Sequence, residues 1–251
     1  MPGVETQVEL DRERGIATVV LSRPEVLNAI TRAMLEELIV ALDVISQDES
    51  VKVVVLTGAG KAFSAGVDLK ALGGRSLEGG AVGDYLDEPA RQVIHRLTTI
   101  PKIVIARVNG FCFTGALELV LACDLVVVAN EARLGDTHAK WGLRPTWGMS
   151  QRLARIVGMA KARELSYTAR TFTGAEAAEW GLAARAVPLE QLDIAVNDLA
   201  QPLLANSIGS LVAYKDLYRR SLDVGQADGL EYEAAARFDI ADTAQRLATF
   251  R

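Results

Sequence analysis

The stretch Asn109-Gly110-Phe111-Cys112-Phe113-Thr114-Gly115-Ala116-Leu117-Glu118-Leu119 joins a strand-like run to a helix-like run through a turn rich in small residues. The run before it, residues 103–108 (Ile-Val-Ile-Ala-Arg-Val), is almost wholly apolar. The pattern then reads as helix to residue 122, and residues 125–129 (Leu-Val-Val-Val-Ala) form another continuous apolar strand. Towards the N-terminus lie two more β-rich runs, residues 16–21 and 51–57, closed by Ser22-Arg23-Pro24 and Gly58-Ala59-Gly60. Between them Leu35, Leu38, Ile39, Leu42 and Ile45 recur at helical spacing, with Thr31 available as N-cap. A further helix is expected over residues 89–97, with Pro89 in its first turn. Strands apolar on both faces and separated by helices predict a parallel sheet covered on both sides, hence an α/β fold.

The strand signal fades after about Gly148. Thr173-Gly174-Ala175-Glu176 has the form of a capping box, opening a short helix that Gly181 can end. From residue 189 to 251 the pattern is helical, with Leu211, Tyr214, Leu217, Tyr218 and Leu222 on one stripe. No Pro/Ser-rich linker intervenes. The expectation is an α/β core over residues 1–188, then a helical segment over 189–251 that packs on the core or on a neighbouring subunit. Residues 73–83 hold five glycines without periodicity and are expected to form a mobile loop.

Composition narrows the function. The 251 residues carry 27 Lys+Arg against 32 Asp+Glu, a net charge of −5, with no basic stripe, which argues against nucleic-acid binding. The longest apolar runs are strand-sized, far short of the about 20 residues of a membrane span. Residues 1–11 carry Glu5, Glu9 and Asp11 and no apolar core, so no signal peptide is expected. Two cysteines, Cys112 and Cys123, make neither a disulfide framework nor a zinc site, and a reducing cytoplasm fits best. Two histidines and two cysteines at unrelated spacings form no metal-ligand set, so no metal is expected.

A second small-residue turn, Lys61-Ala62-Phe63-Ser64-Ala65-Gly66-Val67-Asp68-Leu69-Lys70, follows the strand at 51–57. Neither turn is a phosphate loop: GxxxxGK[ST] and GxGxxG are both absent. Taken singly, each reads as a tight turn and no more. Together, their wording and separation resemble the enoyl-CoA hydratase/isomerase (crotonase) superfamily, whose hallmarks run approximately AFxAGADL and NGxxxGGGxEL. Arg23-Pro24-Glu25-Val26-Leu27-Asn28-Ala29 resembles its early RPxxLNA segment, and Cys123-Asp124 precedes a buried strand as in the family. The stretch from Thr173 through Gly181-Leu182 to Val187-Pro188 resembles its late segment, so the likeness spans nearly the whole chain.

The resemblance implies a crotonase (ClpP-like) fold, a spiral of ββα units with a helical C-terminal segment. It implies that the backbone N–H groups of Val67 and Gly115 bind the carbonyl oxygen of an acyl-CoA thioester. Chemistry beside a thioester passes through an enolate whose charge falls on that oxygen, so fixed donors there favour the transition state. Val67 stands where the family more often has Ala, which a main-chain donor tolerates. Glu118 falls on the family's first catalytic glutamate; three residues beyond Gly115 in a helix, it shares its face. The plain alternative is a solvated surface glutamate, which its flanks Leu117, Leu119 and Val120 disfavour.

The family's second glutamate, in a stretch like F-G-x-P-E, is replaced: Leu134-Gly135-Asp136-Thr137-His138 puts His138 in its place and Asp136 two residues before. His138 is expected to partner Glu118, oriented by Asp136, or else to be a loop histidine bonded for structure alone. His95 reads as a surface or packing residue. The cysteines read as small buried hydrophobes, since no histidine is motif-linked to Cys112. Trp141 and Trp147 line an acyl pocket or fill core, packing being favoured for at least one. CoA is expected along Val26 and Ala29 and the loop Ala65, Asp68, Leu69 and Lys70, with Phe238 contributing from the same or an adjacent subunit.

The function expected is hydration of a 2-trans-enoyl-CoA to the 3-hydroxyacyl-CoA, with no cofactor beyond the substrate's own CoA. The alternatives are Δ3-Δ2 isomerisation, thioester hydrolysis, or a catalytically weak acyl-CoA-binding protein. The family usually forms trimers or pairs of stacked trimers, a state suited to apolar C-terminal helices.

Overall fold

A computed structural model describes residues 6–11, 14–73 and 77–249. The leaderless reading of residues 1–11 therefore falls partly outside the described residues, as does part of the expected loop at 73–83; its described remainder includes a short 3-10 turn, Glu78–Gly80. The strands are β1 (Thr6–Asp11), β2 (Ile16–Leu21), β3 (Val53–Gly58), β4 (Ala62–Ser64), β5 (Ile103–Val108), β6 (Phe111–Phe113), β7 (Leu125–Ala129), β8 (Arg133–Gly135), β9 (Phe172–Thr173) and β10 (Arg185–Val187). The helices are α1 (Arg32–Gln47), α2 (Asp84–Thr99), α3 (Gly115–Val120), α4 (Met149–Val157), α5 (Met159–Thr168), α6 (Gly174–Glu179), α7 (Leu192–Ala205), α8 (Ile208–Ser221), α9 (Gln226–Ala235) and α10 (Thr243–Ala248).

Six strands form one sheet in the order β1-β2-β3-β5-β7-β10, parallel except where β1 runs against β2. The short strands form a second sheet, β4-β6-β8-β9, parallel as far as β8. Each passage of the chain lays one strand in the large sheet and the next in the small one: β3 then β4, β5 then β6, β7 then β8. Helices follow these pairs, and the result is a spiral of ββα turns, as the resemblance implies. All six residues of β3 are buried, as expected of a strand covered on both faces.

Two asparagines tie the turns of the spiral together. Asn28 Nδ2 donates to the carbonyls of Ala59 (2.9 Å), Ala62 (2.8 Å) and Phe63 (3.3 Å). Asn109 Nδ2 donates to Gly58 O and Gly60 O, both at 2.9 Å. Both side chains are buried, and their pull on one loop fixes where β4 leaves for the Val67 turn.

Two sequence expectations are corrected. The helix around Pro89 begins five residues earlier, at Asp84, so Pro89 lies inside it rather than in its first turn. An interior proline strips the carbonyl four residues back of its partner. Here that carbonyl, Tyr85 O, accepts instead from Arg32 Nη1 of α1 at 2.9 Å, so the helix continues through the proline. The strand signal also does not end near residue 148: β9 and β10 close one edge of each sheet. Thr31 caps α1 by accepting from Met34 N at 3.2 Å, and the capping box of α6 forms as expected.

Helix α7 packs on β3, β5, β7 and β10, extending the cover of the large sheet beyond residue 188. Helix α8 is anchored through buried Lys215, whose Nζ donates to Leu97 O (2.8 Å), Lys102 O (3.0 Å) and Asp124 Oδ2 (2.8 Å). Burial holds the Asp124 carboxyl above its usual range despite the ammonium beside it. Large apolar side chains stay exposed along the C-terminal helices: Tyr214, Tyr218, Leu230 and Leu247. No helix among the described residues is long and apolar enough to cross a membrane.

Candidate active site

The two small-residue turns meet face to face. A Cβ on Gly66 (φ +90) would fall 2.5 Å from Thr114 Oγ1 and 2.6 Å from Phe113 O, so the first turn rests directly on the second. Val67 forms a single parallel bridge with Ile30, made by Ile30 N to Gly66 O (2.8 Å) and Asp68 N to Ile30 O (2.9 Å). Those bonds use the neighbours of Val67, and the pleat turns its own N–H the other way. Across from it, Thr114 adopts φ 48 and ψ −113, a strained backbone for a β-branched residue, immediately before Gly115 opens α3. Neither the Val67 amide nor the Gly115 amide donates to an acceptor among the described residues. Both residues line a cavity of about 310 Å³.

Glu118 projects into the same cavity from α3 and is 2% exposed. Its Oε1 accepts from Trp147 N (3.0 Å) and Met149 N (2.9 Å), where the chain enters α4. That leaves Oε2, which lies 3.7 Å from His138 Nε2. Burial raises the pKa of the Glu118 carboxyl, outweighing the two amides and the imidazole that pull it down. The freely solvated reading of this residue is excluded.

His138 follows β8 and is held from behind. Its Nδ1 sits 2.7 Å from Asp136 Oδ1, and Asp136 Oδ2 accepts from Ser166 Oγ of α5 at 2.6 Å. Burial alone would raise the Asp136 carboxyl, but the bonds from His138 and Ser166 outweigh it and hold its pKa below the ordinary value. An ionised Asp136 makes Nδ1 the donor, which leaves Nε2 as the basic nitrogen facing Glu118. The separation of 3.7 Å is too long for a direct hydrogen bond and suits one water held between two proton-transfer groups.

The remaining sequence candidates divide. Ala65 and Leu69 line the cavity with Val67. Val26, Ala29, Asp68 and Lys70 do not: they border the same loop outside it, and Asp68 is engaged in the scaffold. Its Oδ2 accepts from Arg23 Nη1 (3.1 Å), which also donates to Ala29 O (2.7 Å), while Oδ1 accepts from Lys70 N and Ala71 N, both at 3.1 Å. Phe238 does not line the cavity either. Trp147 is buried, with Nε1 donating to Asp87 Oδ1 (2.8 Å), whereas Trp141 is 59% exposed at the rim. Cys112 is fully buried, burial pushes both thiols up, and neither lines the cavity, as small packing residues should. His95 is exposed. Sequence reasoning missed Ser166 and the amides of Trp147 and Met149, because none carries a motif.

Comparison with known proteins identifies the family. The profile of the family described as Enoyl-CoA hydratase/isomerase matches residues 11–247. An Arabidopsis thaliana protein named "Probable enoyl-CoA hydratase 1, peroxisomal" is 37% identical, covering 92% of this chain and 86% of its own. A hydroxycinnamoyl-CoA hydratase-lyase from Pseudomonas fluorescens is 36% identical over 90% of this chain and 82% of its own. The crystal structure of an enoyl-CoA hydratase from Bacillus anthracis superposes with a TM-score of 0.88 at 31% identity, covering 99% of this chain and 97% of that one. The chain belongs to the enoyl-CoA hydratase/isomerase family.

Proposed function

We propose that this enzyme adds water to a 2-trans-enoyl-CoA, giving the 3-hydroxyacyl-CoA, through a thioester enolate bound by the amides of Val67 and Gly115. The observation that carries the reading is the convergence, in one cavity, of two unpartnered amides with a buried carboxyl and an imidazole 3.7 Å apart. Water held between Glu118 and His138 gives a proton to His138 Nε2 as its oxygen bonds to C3. The π pair moves towards C1, charge collects on the thioester oxygen, and the Glu118 Oε2 proton passes to C2. Return of the proton from Nε2 to Oε2 resets the pair. Asp136 stabilises the imidazolium formed on the way.

The acyl group occupies the cavity and CoA leaves it past Ala65 and Leu69 towards Val26, Ala29, Asp68 and Lys70, with no cofactor besides the CoA of the substrate. The exposed apolar residues of α8, α9 and α10 support a trimer or a pair of stacked trimers, and sedimentation at about three or six chain masses is the expected result. The two free thiols support a cytoplasmic protein, which cell fractionation reads directly.

Crotonyl-CoA incubated with the enzyme in heavy water should give 3-hydroxybutyryl-CoA with one deuterium at C2. Free crotonate and CoA would instead reveal a hydrolase, and an unchanged substrate a binding protein.

A further inference from the structure

The residue that no motif marks but that the site leans on is Ser166. A serine on a helix can return its hydroxyl to the carbonyl four residues back or turn it out to solvent. On α5 it does neither: Ser166 Oγ reaches Asp136 Oδ2 at 2.6 Å, a short charge-assisted bond between residues 30 apart in sequence. The other Asp136 oxygen takes both His138 Nδ1 (2.7 Å) and His138 N (3.3 Å). With both oxygens engaged, the carboxylate plane is fixed, and the imaginary hinge about its Cβ–Cγ bond is closed. That plane in turn fixes the imidazole, whose Nε2 lies 3.7 Å from Glu118 Oε2.

We propose that Ser166 is a positioning residue for the hydration step: through Asp136 it locks His138 in the Nδ1–H tautomer, with Nε2 aimed at the water shared with Glu118. The inference rests on the hydratase reading for its kinetic consequence and on the geometry alone for the tautomer. Removing the hydroxyl leaves Asp136 Oδ2 without this donor, so the carboxylate turns and the imidazole loses its single orientation. The reacting atoms stay in place, but fewer molecules hold Nε2 ready at any moment. Substrate contacts are untouched, so the loss falls on kcat and not on KM.

The chain has only two histidines, and His95 is exposed, so 15N-histidine labelling gives a spectrum with its own reference. In the wild-type enzyme, His138 should show an Nδ1–H signal and a bare Nε2, while the exposed His95 supplies the reference signals. Ser166→Ala should move the His138 nitrogens towards averaged tautomer shifts. It should lower kcat for crotonyl-CoA about tenfold, with KM within about twofold. Ser166→Thr, which keeps the hydroxyl at a half-buried position, should restore both. A Ser166→Ala enzyme with unchanged His138 nitrogens and unchanged kcat overturns the role of Ser166 and leaves hydration standing. A wild-type enzyme that fails to hydrate overturns the functional reading instead; the tautomer spectra then decide the role of Ser166, an unmoved signal refuting it and a shifted one supporting it.

Discussion

Glu118→Gln should lower kcat for crotonyl-CoA hydration by about 10²–10⁴-fold, the range over which one positioned acid–base group acts. The amide oxygen can still accept from Trp147 N and Met149 N, so the α3–α4 contact survives and substrate affinity should change little. What is lost is the proton on Oε2. The same variant should also be the more stable protein at neutral pH. Burial holds the native Glu118 pKa above its ordinary value of 4.5, so ionisation weakens the fold as pH rises through the interval between those values. An amide never ionises. Thermal melts should therefore favour Glu118→Gln at pH 8 and converge with wild type near pH 4, a stability gain offset by lost function. Full turnover in this variant would remove Glu118 from the mechanism, and equal melts at pH 8 would contradict the burial argument.

Gly115→Ala should cost about 10²–10³-fold in kcat/KM, roughly the 2.7–4 kcal/mol of one oxyanion donor. A Cβ there falls 2.6 Å from Trp147 Cζ3 and 3.1 Å from Cε3. The ring has little room to yield, because Nε1 is bonded to Asp87 and the backbone N of the same residue to Glu118. The first turn of α3 must shift instead, carrying the Gly115 amide off its line. Val67→Ala is the control: the donor is main chain, so its activity should stay within about threefold of wild type. Steady-state kinetics on both variants check the pair, and a larger loss at Val67 than at Gly115 would reverse the argument.

Much of this site was legible in the sequence through the family resemblance, because the motifs that carry it lie on local spacing. Glu118 three residues after Gly115, and Asp136 two before His138, are positioned by one helix and one strand end. The parallel sheet followed from strands such as residues 125–129, apolar on both faces, and the spiral from the family resemblance. The five short strands β4, β6, β8, β9 and β10 were not legible, since two or three residues show no period and their partners are distant in sequence. Pro89 misled for a related reason. Its cost to α2 is met by Arg32, from a different helix, and no local pattern announces such a partner. Ser166 and the amide of Met149 likewise reach the site through tertiary packing alone.

The most direct test of the central claim is vibrational. Infrared difference spectra of butyryl-CoA labelled with 13C at the thioester carbonyl isolate that one bond, on a saturated ligand that cannot be hydrated. If the amides of Val67 and Gly115 both bind its oxygen, the C=O stretch must move to lower frequency on binding, stay there in Glu118→Gln, and relax towards the solution value in Gly115→Ala. A carbonyl band that binds at its solution frequency in the wild-type enzyme would contradict the account.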